Sequence, residues 1–154
     1  MKIRIPDENF IKRILNTVVK NIFSKKTKIA KGNRAENSNF ADGEEADALR
    51  NIEFVLSNRA FVSYEKMSSD EIFEKIRKGL DCRGVRLIMM SEQVGEMFEI
   101  YTADELLLPF YEGKRFVVCG IAKGRKRTYR LLVSMIDSMY QEMGRIDANL
   151  FFNS

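Results

Sequence analysis

An apolar run from Phe116 to Ala122 passes without a break into Lys123-Gly124-Arg125-Lys126-Arg127-Thr128-Tyr129-Arg130. A buried strand that turns at a glycine and opens a helix presents that helix's first amides, and its dipole favours an anion there. Lys123, Arg125, Lys126 and Arg127 add full positive charges to the same end, and Arg130 follows about one turn on. Cations are unfavourable at a helix N-terminus, and a bound phosphate or carboxylate would offset that repulsion. The candidate anion-binding residues are therefore Lys123, Gly124, Arg125, Lys126, Arg127 and Arg130. Gly120 and Gly124 stand one residue short of P-loop spacing, and no Gly-Lys-Ser/Thr follows, so the segment is not a nucleotide-binding P-loop. A tight turn whose cations face water or the chain's own acidic residues explains the same pattern.

Other chemistry is constrained more firmly. The chain contains no histidine, which excludes Ser-His-Asp and Cys-His catalysis within it and any zinc site that needs imidazole. Cys82 and Cys119 have no neighbouring cysteine at metal-ligand spacing and are too few for a disulfide framework. Glu96, Glu99, Asp104 and Glu105 form a carboxylate-rich stretch, but a helix cap and the solvent face of a strand account for them. The methionines Met89, Met90, Met97, Met135, Met139 and Met143 would suit an adaptable groove, and core filling is the simpler reading. No catalytic residue, metal ligand or cofactor is expected. The cysteine usage suits a reducing, cytoplasmic setting.

Charge is distributed in blocks. Residues 1–34 carry ten Lys/Arg against Asp7 and Glu8, residues 35–112 carry eight basic against seventeen acidic, and residues 113–154 eight against three. The basic ends either fold against the acidic middle or bind an anionic partner, nucleic acid or a small anion among them. No zinc spacing, RNP-type motif or helix-turn-helix signature supports base-specific recognition.

The elements that would position these residues follow from periodicity. Residues 7–24 predict an amphipathic basic helix with Asp7 as cap. Its apolar stripe joins two ridges, Phe10, Ile14, Val18, Ile22 and Ile11, Leu15, Val19, Phe23, which form a candidate docking surface for a protein partner or a second copy. Peripheral membrane contact fits less well, because Trp is absent and Asp7 and Glu8 open the helix. Nowhere does an apolar run approach the roughly 20 residues of a membrane span, and no signal-peptide pattern is present. The lysine- and asparagine-rich stretch that follows reads as a linker, which divides the chain into a helix over 1–28, a linker over 29–41 and a compact domain over 42–154.

Within that domain, Asp42 to Val62 predicts a helix through Leu49, Ile52, Val55, Leu56 and Ala60, and Ser68 with Glu71 forms a capping box for a shorter one. Val85 to Met90 and Glu96 to Tyr101 read as antiparallel strands, Thr102 to Leu108 as a short helix, Phe116 to Ala122 as a central strand, and 124–143 as a long helix stopped by Gly144. Ala148 to Phe152 reads as an edge strand or a docked tail. The expected fold is α+β, with mixed α/β as the alternative: N-terminal helices followed by a three- or four-stranded sheet packed with helices. The expected function is that of a non-enzymatic interaction or regulatory protein docking through its N-terminal helix. The alternatives are an anion- or nucleic-acid-binding module centred on 123–130, then an enzyme acting on a phosphorylated or acidic ligand.

Overall fold

The computed structural model describes residues 50–153. The predicted N-terminal helix, the linker and the start of the helix predicted from Asp42 lie outside them. The described residues form strand β1 (Glu53–Val62), helix α1 (Ser69–Arg77), strands β2 (Val85–Met90) and β3 (Phe98–Thr102), two 3-10 turns (Glu105–Leu107 and Pro109–Tyr111), strand β4 (Arg115–Lys123) and helices α2 (Arg125–Met143) and α3 (Ala148–Phe152). The four strands make one mixed sheet in the order β1-β4-β2-β3. β4 runs parallel to β1 and antiparallel to β2, and β2 and β3 form an antiparallel hairpin. The fold is α+β, with the sheet packed by helices.

Local chemistry explains most of these elements. Ser68 and Glu71 form the predicted box: the Glu71 amide donates to Ser68 Oγ at 3.2 Å and the Ser68 amide to Glu71 Oε2 at 2.8 Å. At the other end of α1, Gly79 N–H donates to Ile76 O and Leu80 N–H to Lys75 O. This closure satisfies the last carbonyls and needs the left-handed φ of +67° that Gly79 adopts. β4 is inner, as its uninterrupted apolar run requires, since both of its faces are covered.

One expectation is overturned. The segment up to Val62, predicted as helix, is strand from Glu53 onward. The apolar spacing of Ile52, Val55 and Leu56 imitates a helix because apolar residues occupy both faces of a segment that pairs regularly with β4 from Glu53 to Leu56. Leu56 pairs with Val118 and Phe61 with Gly120, so residues 57–60 form a bulge opposite Cys119. The aromatic and β-branched residues of the segment suit a strand, and the pairing that selects it lies on the distant β4.

Each face of the sheet carries its own core. On one side α2 and α3 pack Leu132, Met135, Ile136, Met139, Phe151 and Phe152 against Ile88, Phe98, Ile100 and Ala122. On the other, α1 and the 3-10 turns pack Ile72, Phe73, Ile76 and Leu106 against Phe54, Val85, Leu87, Val118 and Ile121. Met89, Met135 and Met139 are fully buried, and Met90, Met97 and Met143 pack beside them, so the methionines fill core.

Two further segments differ in detail from expectation. Thr102 and Glu105 do cap each other, with the Glu105 amide on Thr102 Oγ1 at 3.2 Å and the Thr102 amide on Glu105 Oε2 at 2.7 Å. The helix they open ends after one 3-10 turn, because Pro109 holds Leu108 in an extended conformation before a second turn begins. The tail is a docked helix, not an edge strand. Asp147 caps it through the Leu150 amide at 3.0 Å, and Phe151 and Phe152 are buried.

Candidate anion-binding site

The β4–α2 junction turns within one residue. Gly124 sits at φ +86° and ψ 152°, a conformation essentially reserved for glycine. Its amide donates to Gly84 O at 2.8 Å, which ties the junction to the loop before β2. α2 then starts with no side-chain cap and no acidic residue in its first turn. The first helical bond is Thr128 N–H to Gly124 O at 3.1 Å, and Thr128 Oγ1 donates to the same carbonyl at 2.8 Å.

The structure divides the predicted anion-binding residues. Arg125 and Lys126 line a cavity of about 430 Å³ beside the start of α2, together with Thr128 and Tyr129. Lys123 turns away: its Nζ stands 5.5 Å from the centroid of Tyr64, which belongs to the core on the α1 side. Arg127 and Arg130 are exposed and do not line the cavity. Among the described residues, no ion pair with an acidic side chain involves Lys126, Arg127 or Arg130, so the acidic middle block does not neutralise them there.

The cavity also contains a residue absent from the predicted set. Arg86 pairs with Ala122 on β4 and Thr102 on β3, so its side chain shares the α2 face of the sheet with Ile88 and enters the cavity from the strand side. It is half-buried and forms no ion pair among the described residues. The sequence did carry a signal for it, since Arg86 is the single charged residue in Val85-Arg86-Leu87-Ile88-Met89-Met90. Ile100 and Leu132, both buried, supply an apolar floor. The site thus combines cations from a strand and a helix with a predominantly apolar interior, which suits an anion carrying an apolar body.

The carboxylate-rich stretch does not assemble into a second charged centre. Glu99 accepts from Ser91 Oγ at 3.1 Å, from Gln93 Nε2 at 3.3 Å and from the Tyr101 hydroxyl, while Glu105 caps the first 3-10 turn. Burial and the neighbouring Glu99 push the Tyr101 phenol well above its ordinary range, and burial also raises Tyr111, so both rings stay neutral. The docking residues Phe10, Ile11, Ile14, Leu15, Val18, Val19, Ile22 and Phe23 lie outside the described residues. No helix among the described residues is long and apolar enough to cross a membrane. Compared with known proteins, the chain matches no family model, no curated protein and no solved structure.

Proposed function

We propose that this chain is a non-enzymatic binding module that holds an anionic ligand at the β4–α2 junction. The anionic head would lie among Arg86, Arg125 and Lys126, and an apolar or aromatic body would rest against Ile100, Tyr129 and Leu132. The observation that carries this reading is Arg86: a strand residue with no ion pair among the described residues joins the helix-borne cations around one cavity. Cations beside a helix N-terminus oppose its dipole, and a bound anion would offset that repulsion. The ligand class is a phosphate monoester or a carboxylic acid of modest size, since charge-assisted bonds to arginine fix such heads with good geometry.

Titration with phenyl phosphate and with inorganic phosphate in low salt, followed by amide NMR shifts, tests the reading. Shifts confined to 86, 100 and 124–132, with phenyl phosphate the tighter ligand, are expected. Absence of saturable shifts for both ligands at millimolar concentration would overturn it.

The apolar stripe of residues 7–24 supports a complementary docking role toward a protein partner or a second copy. Deletion of residues 1–30 should remove self-association or partner capture, and an unchanged mass and partner list would defeat that role. Cys82 and Cys119 are both unpaired and buried, which supports a reducing, cytoplasmic setting.

A further inference from the structure

A second concave region lies at the opposite end of β4, independent of the anion site. It is a groove of about 840 Å³ whose walls include Glu99, Tyr101, Phe110, Tyr111, Lys114 and Phe116. Phe110 and Tyr111 follow Pro109 in the second 3-10 turn, and their rings stand nearly perpendicular, 86° apart with centroids 5.2 Å from each other. Tyr101 and Phe116 continue the aromatic wall, with Tyr111 5.3 Å from Tyr101 and 6.1 Å from Phe116. Phe110 is 71% exposed, far more than an aromatic ring held only for packing.

The corner between these rings already holds a cation. Lys114 Nζ stands 3.8 Å from the Phe110 centroid and 5.4 Å from that of Tyr111. Arg115, the next residue, also lines the groove, where its guanidinium is paired with Glu53 at 3.2 Å. Glu99 receives three neutral donors and forms no ion pair among the described residues, so its negative charge is fixed in place and faces the same groove. Aromatic faces that share a groove with a carboxylate can recognise organic ammonium groups.

We propose that this groove is a binding site for an alkylammonium group, and that Lys114 is its internal occupant until a ligand displaces it. The ligand's cationic head takes the place of Lys114 Nζ against Phe110 and Tyr111, and Glu99 supplies the compensating charge. The released Lys114 side chain moves into water, where its charge is hydrated at little cost.

Tetramethylammonium chloride, titrated against sodium chloride at constant ionic strength, tests this directly. The chain contains five tyrosines and no tryptophan, so intrinsic fluorescence reports tyrosine surroundings. A saturable fluorescence change is expected, together with loss of the ring-current shift on the Lys114 ε-methylene in NMR spectra. Lys114→Ala should bind about two- to five-fold more tightly, the factor set by one exposed cation–π contact. Glu99→Gln and Phe110→Ala should bind more weakly, and Phe110, being exposed, can be replaced without disturbing the core. A trimethyllysine tetrapeptide run in parallel separates the sources: tighter binding than tetramethylammonium indicates a protein tail, and equal or weaker binding a free ammonium compound. No saturable response in either wild type or Lys114→Ala, or a response untouched by Phe110→Ala, overturns the proposal.

Discussion

Ser57 Oγ donates to the backbone carbonyl of Phe152 at 2.8 Å, a buried bond spanning 95 residues of sequence. It joins the bulge of β1 to the C-terminal helix, and Arg59 extends the junction by lying 4.7 Å above the Phe151 ring. Replacing Ser57 with alanine leaves a carbonyl without its donor in a buried setting. The expected loss is about 1–3 kcal/mol of stability, readable as a lower midpoint in urea with an unchanged slope. A loss below the error of the measurement would mean that water or a neighbouring group takes over the bond.

Gly120 is the second point where stability is concentrated. A Cβ there would stand 3.1 Å from Ile88 Cδ1, 3.2 Å from Leu131 Cδ2 and 3.2 Å from Met135 Sδ. α2 therefore packs against bare backbone of β4. Gly120→Val should destabilise by about 1–3 kcal/mol through overpacking, and Gly120→Ala by less. Thermal melts of the two variants rank them; equal stability of glycine and valine would contradict the close packing.

The anion site predicts an ordered set of losses. Arg86→Gln and the Arg125→Gln/Lys126→Gln pair should each weaken phenyl phosphate binding at least ten-fold, about 1.4 kcal/mol or more. Arg127→Gln and Arg130→Gln, outside the cavity, should change it less than about three-fold and only at low salt. Isothermal titration calorimetry at two ionic strengths separates these outcomes. Equal sensitivity at all five positions would indicate a diffuse basic surface.

Alkaline pH should destabilise the domain through Cys119. Burial pushes its thiol up from the ordinary 9.0 to about 12. Between these values the unfolded chain releases the proton while the folded chain keeps it, so the contribution is complete below pH 9 and is lost as pH rises toward 12. The slope is about 1.4 kcal/mol per pH unit for this one group. Tyr101 and Tyr111, also raised, add to the same trend at higher pH. Cys119→Ala should flatten the stability profile between pH 9 and 10.5 relative to wild type, measured by urea unfolding; parallel profiles would exclude this origin.

How far the sequence reveals this structure depends on whether an element is specified locally. The Ser68–Glu71 box, the β2–β3 pair, the inner position of β4 and the α2 stop at Gly144 all rest on neighbouring residues, and all were legible. β1 was not, because apolar residues lie on both of its faces, a bulge interrupts it after Leu56 and its partner is the distant β4. The tail helix was ambiguous because Ala148 to Phe152 is too short for periodicity to separate strand from helix. At the anion site, residues contiguous with the glycine turn were visible, whereas Arg86 reached the cavity only through strand register. Lys123, adjacent in sequence to the other cations, left the site because it is the last residue of a strand and faces the opposite side from Ala122.

The parallel pairing of β1 with β4 also shapes the order in which the sheet can be made. Glu53 and Arg115 are 62 residues apart, whereas β2 and β3 are joined by one short loop. Closing the longer loop costs more chain entropy, so the hairpin and the adjoining β4 can assemble before β1 is captured. During synthesis, β1 leaves the ribosome well before the strand that will pair with it. Its apolar residues Phe54, Val55, Leu56, Phe61 and Val62 must wait without a partner through the time needed to add about sixty residues, some 3–12 s at typical translation rates. The strand hardest to recognise in the sequence is thus the one that a nascent chain leaves uncovered longest.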